Sequence, residues 1–261
     1  MKGDAPFLSV VVPVHNEEVT VERNFKHIVA FLRESKWTFE IVAVNDGSTD
    51  GTGRLLEKIS SQIPEMVVVS YPQNAGKGNA LQQGISGTHG TWVLRLDADL
   101  ELLVELLDTF FEVQKKTDAQ VIIGSKWYPG SVIEYPYSRR FLSKGLHLIV
   151  RLLFPLNVTD SQVGIKLVDG DSARFMNQIT LVKHFAWDVE FLLAARVAHL
   201  RIAESPVTLR YEREGLGRVD LKSILQIFRE LAGTWFRHFI KNYYSKFLAS
   251  YTGNQCPRDP V

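Results

Sequence analysis

Apolar residues in this chain come in short, β-branched runs separated by loops rich in acids, glycine and serine; the first run is LSVVVPV, residues 8–14. A continuous run of that length predicts a strand buried on both faces. HNEE then opens a helical stretch to about Glu34, and Phe39–Asn45 predicts a second buried strand. The DGSTDGT that follows supplies turn and capping residues for another helix. A third strand, Val67–Tyr71, precedes the glycine-rich NAGKGNALQQGISGTHG, a fourth, Trp92–Leu96, ends on the acids DAD, and Val121–Gly124 reads as a fifth. Strand, loop and helix alternating at this spacing predict an α/β fold with a mostly parallel, doubly wound sheet, with ligands at the C-terminal ends of its strands.

Past Gly124 the regularity fades. Residues 127–157 mix aromatics, arginines and helical spacing, as an insertion or lid over a binding face does. After Leu209 the chain turns basic and aromatic, and RVDLKSILQIFRELAGTWFRHFIKNYYSKFLASY reads as one or two amphipathic helices. The expected division is a main domain over 1–219 and an amphipathic tail over 220–261. In the tail Phe228, Trp235, Phe236, Phe239, Tyr243, Tyr244 and Phe247 alternate with Arg229, Arg237, Lys241 and Lys246. That pattern suits a membrane headgroup boundary, and it equally suits packing on this protein or another copy. The apolar patch from Leu146 to Leu156 is interrupted by Arg151 and stopped by Pro155, well short of the roughly 20 residues of a bilayer span. Membrane contact is therefore expected to be peripheral, or shared with a separate membrane protein.

Composition narrows the partners. With 261 residues and 45% hydrophobic content the chain can bury one substantial core. Its 30 basic and 29 acidic side chains give no overall field for wrapping nucleic acid, so that class drops out. The single cysteine, Cys256, excludes an internal disulfide, and MKGDAPF runs into the first strand without the apolar stretch of a secretory signal. Both point to a reducing, cytoplasmic setting.

The candidate chemistry collects at the predicted strand ends. Asp97 and Asp99, separated by Ala98, follow an apolar strand, with Glu101 two residues on. Hard oxygens in that place suit magnesium or manganese bridging phosphate oxygens, although two acids after a strand also cap helices. The upstream loops put Asn16, Glu17, Asp46 and Asp50 at the same sheet edge, where an acid after the second strand accepts hydrogen bonds from a ribose or base. Gly76, Gly78, Gly84 and Gly90 fit neither the dinucleotide fingerprint nor a phosphate-binding P-loop. Lys77 between them is either a nucleotide contact or a solvated loop lysine.

VVPVHNEE, VNDGSTDGT, NAGKGNAL, RLDADLE and TDSQVGIKL, in that order, resemble the family 2 inverting glycosyltransferases, and within them the dolichyl-phosphate glucose and mannose synthases. The likeness runs from about Leu8 to Val219. It implies the nucleotide-sugar-binding GT-A fold, Mg2+ or Mn2+ on the aspartate motif, and inverting transfer of a hexosyl group from a UDP-glucose- or GDP-mannose-type donor to a polyprenyl or dolichyl phosphate. Carried over, it places Pro13, His15, Asn16, Glu17 and Asp46 around the nucleoside, Asp97 at the ribose or diphosphate, and the metal on Asp99 with Glu101 as a further candidate; Ala98 and the loop lysine Lys77 complete the expected donor site. Lys126, Arg139, Ser143 and Gln162 become the acceptor-phosphate candidates. The segments DSQVGIK, residues 160–166, and WDVE, residues 187–190, resemble the glucosyl branch more closely. Asp188 and Glu190 stand where related enzymes keep a catalytic base, and a structural role stays open for both. Where the group carries a serine–lysine pair, this chain reads EREGLGRVDLK, leaving Arg213 and Arg218 as the cations for the diphosphate. A family 2 transferase acting on a saccharide hydroxyl, and a non-catalytic nucleotide-sugar sensor, remain the rival readings.

Overall fold

The computed structural model describes residues 5–133, 145, 148–209 and 221–251. Five expected strands form close to their predicted bounds: β1 (Leu8–Val14), β2 (Phe39–Asp46), β3 (Met66–Tyr71), β4 (Trp92–Leu96) and β5 (Val121–Ser125). After the short β6 (Val132–Ile133) come β7 (Ile165–Asp169), β8 (Ile202–Pro206) and the short β9 (Thr208–Leu209). Helices α1 (Val21–Glu34), α2 (Thr52–Ser60), α3 (Lys77–Ser86) and α4 (Leu106–Thr117) alternate with the first five strands. Further along lie α5 (Gly170–Ile179), α6 (Trp187–Val197), α7 (Leu221–Trp235) and α8 (Tyr243–Ser250).

The main sheet is ordered β3-β2-β1-β4-β7-β5-β8, and β6 pairs with β9 separately. Every pairing in the main sheet is parallel except those of β7, which runs antiparallel to both β4 and β5. The strand order reverses at β1, which carries β2 on one side and β4 on the other. That reversal is the switch point at which an open α/β sheet leaves a crevice beyond its strand ends. The register shows the opening: β1 pairs with β2 as far as Val14 but with β4 only as far as Val11. Pro13, which has no N–H to give a ladder, falls in the stretch where β1 keeps a single neighbour.

Because β7 is antiparallel, its first residues share an edge with the last residues of β4. Leu96 pairs with Ile165 and Arg95 with Lys166, so Asp97 arrives next to Gly164. The tail folds back on the domain: Leu231, Thr234 and Tyr244 are buried, and Phe175 of α5 meets the Tyr251 ring edge-on at 4.8 Å. Between α7 and α8 the helix widens into a π-helical turn, Phe236–Ile240.

Candidate active site

Two loops at the crevice are laced together by hydrogen bonds. Asn16 takes a left-handed conformation, φ +54°, which its side chain tolerates better than most. Its N–H donates to Ser48 Oγ at 3.1 Å, and its Oδ1 accepts the Thr49 N–H at 2.8 Å. Glu17 N–H donates to Thr52 Oγ1, Glu18 N–H to Asp50 Oδ2, and Gly51 N–H to Glu18 Oε2. His15 Nδ1 lies 2.8 Å from the Asp46 carbonyl oxygen, which only accepts, so Nδ1 carries the proton and Nε2 accepts from Asn16 Nδ2. Burial would push the Asp50 carboxyl up, but hydrogen bonds from Thr52 and Glu18 outweigh it and hold it below the ordinary carboxylate value.

Asp46 is buried and turned inward. Its Oδ1 accepts the Ala75 N–H at 2.8 Å and its Oδ2 the Gly76 N–H at 3.2 Å, so it holds the loop that leads to Lys77. Gly76 adopts φ +99°, a conformation open to glycine and strained for other residues. The next residue, Lys77, starts α3 and donates from Nζ to Asp97 Oδ2 at 2.7 Å, both side chains partly exposed. Lys77 and Asp97, donor-site candidates from separate loops of the sequence, are thus in direct contact.

Beneath Asp97 lies a buried charged floor. Arg95 and Lys166, 3% and 1% exposed, project from paired strands, and Asp188 of α6 is ion-paired with both. Lys166 Nζ also donates to the Val163 carbonyl oxygen at 2.8 Å, and Arg95 lies 5.7 Å over the Trp187 ring. Arg95 approaches the second Asp97 oxygen at 3.7 Å. Burial alone would raise the Asp97 carboxyl; Lys77 and Arg95 beside it, with Lys166 further off, hold it below the ordinary carboxylate value. Burial lowers Lys77, partly countered by Asp97, and lowers Lys166 strongly, with Arg95 repulsion adding to it. Lys77 and Asp97 lie over this floor, with the Asp160 carboxylate acting on Lys166 and that of Asp99 on Lys77, so charges of both signs are packed together at the crevice.

The two acids of α6 part company. Asp188 faces this floor, whereas Glu190 is fully buried: its Oε2 accepts the Leu181 and Val182 N–H groups, and its Oε1 meets Arg237 at 2.7 Å and the Tyr244 hydroxyl. Glu190, expected among the catalytic acids, is instead sealed between the domain and the tail. Lys126 and Gln162 come together through Asp160, which pairs with Lys126 Nζ at 3.1 Å and accepts the Gln162 N–H at 3.3 Å. Arg139, Ser143, Arg213 and Arg218 lie outside the described residues. Sequence reasoning passed over Arg95 as a site residue, although a charge inside WVLRL signalled it: a buried arginine needs a partner.

A hard divalent cation suits the aspartate motif. Asp97 Oδ2 already holds a positive charge, the Lys77 ammonium, and the same oxygen packs so closely on Gly164 that any Cβ there would collide with it. Asp99 Oδ1 accepts the Glu101 N–H at 3.3 Å, so these two acids share one turn. Among the described residues no three His, Cys, Asp or Glu side chains converge, so a cation here would take its remaining oxygens from phosphate and water, as magnesium commonly does.

The Glycosyl transferase family 2 profile matches residues 9–172, the segment that carries β1 to β5, both laced loops and the aspartate motif. The chain belongs to glycosyl transferase family 2. Within the family it is 35% identical over 212 residues to a dolichyl-phosphate beta-glucosyltransferase of Trichomonas vaginalis, covering 77% of this chain but only 65% of that protein's length. It is 31% identical over 238 residues to the dolichyl-phosphate beta-glucosyltransferase of Homo sapiens, covering 86% and 73%. The fold matches glucosyl-3-phosphoglycerate synthase from Mycobacterium tuberculosis in complex with Mn2+, uridine diphosphate and glucosyl-3-phosphoglycerate, at TM-score 0.63, 20% identity, and 88% and 79% coverage. Mannosyl-3-phosphoglycerate synthase from Rubrobacter xylanophilus matches at 0.65 and 18%, covering 89% and 74%. Family 2 membership and these neighbours give the architecture its name, GT-A.

Proposed function

We propose that this family 2 chain transfers glucose, with inversion, from UDP-glucose to dolichyl or another polyprenyl phosphate. The observation that carries the acceptor class is the state of the α6 acids. Asp188 is consumed by Arg95 and Lys166, and Glu190 is closed off by Arg237, Tyr244 and two backbone N–H groups. A hydroxyl acceptor needs a carboxylate to take its proton, whereas a phosphate monoester arrives ionised. In the proposed reaction a phosphate oxygen attacks the anomeric carbon from the face opposite the leaving group. The bond from that carbon to the diphosphate breaks, UDP departs, and no proton must be removed. The names of the relatives support glucose and the lipid acceptor.

In this reading Lys77, with Arg95 beneath it, faces the departing diphosphate. Mg2+ or Mn2+ held by Asp99, with Asp97 and Glu101, supplies further charge neutralisation when bound. Lys126 and Gln162 line the acceptor side, joined in the sequence argument by Arg139 and Ser143. Leu225, Phe228, Trp235, Phe236, Phe239 and Ile240 are all exposed, an apolar face on the tail fit to rest on a bilayer. No described helix is long and apolar enough to cross a membrane.

The test is a donor and acceptor matrix: UDP-glucose or GDP-mannose with dolichyl phosphate, or with soluble saccharides, plus Mg2+ or Mn2+. Mass analysis should find glucosyl phosphoryl lipid, and NMR should show the β anomer. Transfer to a saccharide hydroxyl without lipid phosphate would overturn the acceptor assignment.

A further inference from the structure

The Lys77–Asp97 contact is built. α3 begins at Lys77, and its first turn is pinned from three directions. The Asn79 N–H donates to the Lys183 carbonyl oxygen at 2.8 Å. A Cβ on Gly76 would stand 2.6 Å from that same oxygen, and a Cβ on Gly78 2.6 Å from Trp187 Cβ, so only glycines let the 183–187 segment lie this close. Asp46 fixes the preceding loop through Ala75 and Gly76. The ammonium is thereby delivered to Asp97 Oδ2, the oxygen that also packs against Gly164.

Asp97 therefore has two cationic neighbours of different kinds. Arg95 is buried and held by Asp188, while Lys77 is the outer neighbour, 31% exposed, on a flexible four-carbon stem. The inner cation is enclosed with its counter-ion, and the outer one borders solvent.

We propose that Lys77 is an internal stand-in for the divalent cation: without donor its ammonium occupies the aspartate motif and keeps metal off, and an arriving nucleotide diphosphate draws it away. Metal and donor then load together. Two positive charges at one carboxylate repel, and phosphate oxygens offer the ammonium a second anionic partner that moves it clear. The inference rests on the nucleotide-diphosphate and metal reading of this site, and it concerns the order of loading, which that reading leaves open.

The experiment is Mn2+ titration of the whole chain, with bound ion read by loss of the free-ion electron paramagnetic resonance signal, with and without UDP. Wild type should bind Mn2+ weakly alone and more tightly with UDP. Lys77→Met should bind Mn2+ without nucleotide at least about tenfold more tightly than wild type, equivalent to about 1.4 kcal/mol, and should gain less from UDP. Lys77→Arg, which keeps the charge, should stay near wild type. Thermal melts of each variant, with Lys77→Gln as a second neutral replacement, check that the fold is intact. Equal or weaker nucleotide-free binding in folded Lys77→Met and Lys77→Gln overturns the proposal. So does absence of Mn2+ binding in every condition, an outcome that also removes the metal from the proposed function; active wild type with unchanged variant affinities removes the stand-in alone.

Discussion

Arg95 and Lys166 stand directly opposite one another on β4 and β7, both buried, and Asp188 is the carboxylate that pairs with both. Like charges facing across a ladder are destabilising, so the pair depends on its counter-ion. Asp188→Asn should cost about 3–5 kcal/mol in denaturant unfolding, the range for breaking a buried ion pair on one side. Adding Lys166→Met removes one of the stranded cations and should recover part of that loss. The double variant also tests chemistry: if Asp188 is a counter-ion, transfer to lipid phosphate falls by less than the roughly 100- to 10,000-fold that loss of a general base brings. A deficit inside that range in a stable double variant would restore Asp188 as a base.

Gly164 allows Asp97 to lie where it does. A Cβ at this position would collide with Asp97 Oδ2. Gly164→Ala should therefore push the carboxylate off Lys77 and weaken donor binding, by about tenfold or more for a contact worth about 1.5 kcal/mol. The cost in stability should be smaller, because the residue lies just before β7 beside a partly exposed side chain. UDP calorimetry alongside a melt separates the two effects; a large fall in melting temperature with unchanged UDP affinity would mean that Gly164 serves the fold.

The first five strands were legible as short β-branched apolar runs, of which β1, β2, β4 and β5 are largely buried while β3, at the sheet edge, is not. β7 was not: Lys166 and Asp169 interrupt its run, and only tertiary ion pairing makes a lysine acceptable there. β8 is similarly disguised by Glu204 and Ser205. The site's members Lys77, Asp97 and Asp99 could be named from their loops, but the contact between Lys77 and Asp97 depends on how α3 is pinned by the 183–187 segment, a long-range relation. The α6 acids show the reverse case. Residues two apart on a helix point to different sides, so Asp188 and Glu190 had to have different partners. Which side held the floor and which the tail depended on packing.

Acid should expose the Asp97 contribution. Its carboxyl is held low in the folded protein, so the unfolded chain takes up its proton first as pH falls. The stabilisation is then fully present above the unfolded value of about 3.9 and is lost as pH drops through the lower folded value. Asp97→Asn lacks this component. The stability gap between wild type and Asp97→Asn, measured by urea unfolding between about pH 6 and 2, should therefore be widest above pH 4 and should narrow below it. A gap that stays constant across the range would show that the ionised carboxylate contributes nothing to folding.

The tail is fastened by Glu190, whose fully buried carboxylate meets Arg237 of the π-helical turn and the Tyr244 hydroxyl of α8. Arg237→Ala would leave that charge without its cation and should cost about 3–5 kcal/mol. Tyr244→Phe removes one hydrogen bond to a charged group and should cost about 1.5–3 kcal/mol. Glu190 also accepts the Leu181 and Val182 N–H groups, so losing the tail contacts should loosen the segment leading to His184 and Lys183 above α3. Hydrogen exchange in Tyr244→Phe should accordingly quicken at residues 181–184 as well as in α8. Faster exchange confined to α8 would mean that the tail is anchored to Glu190 without bracing the crevice.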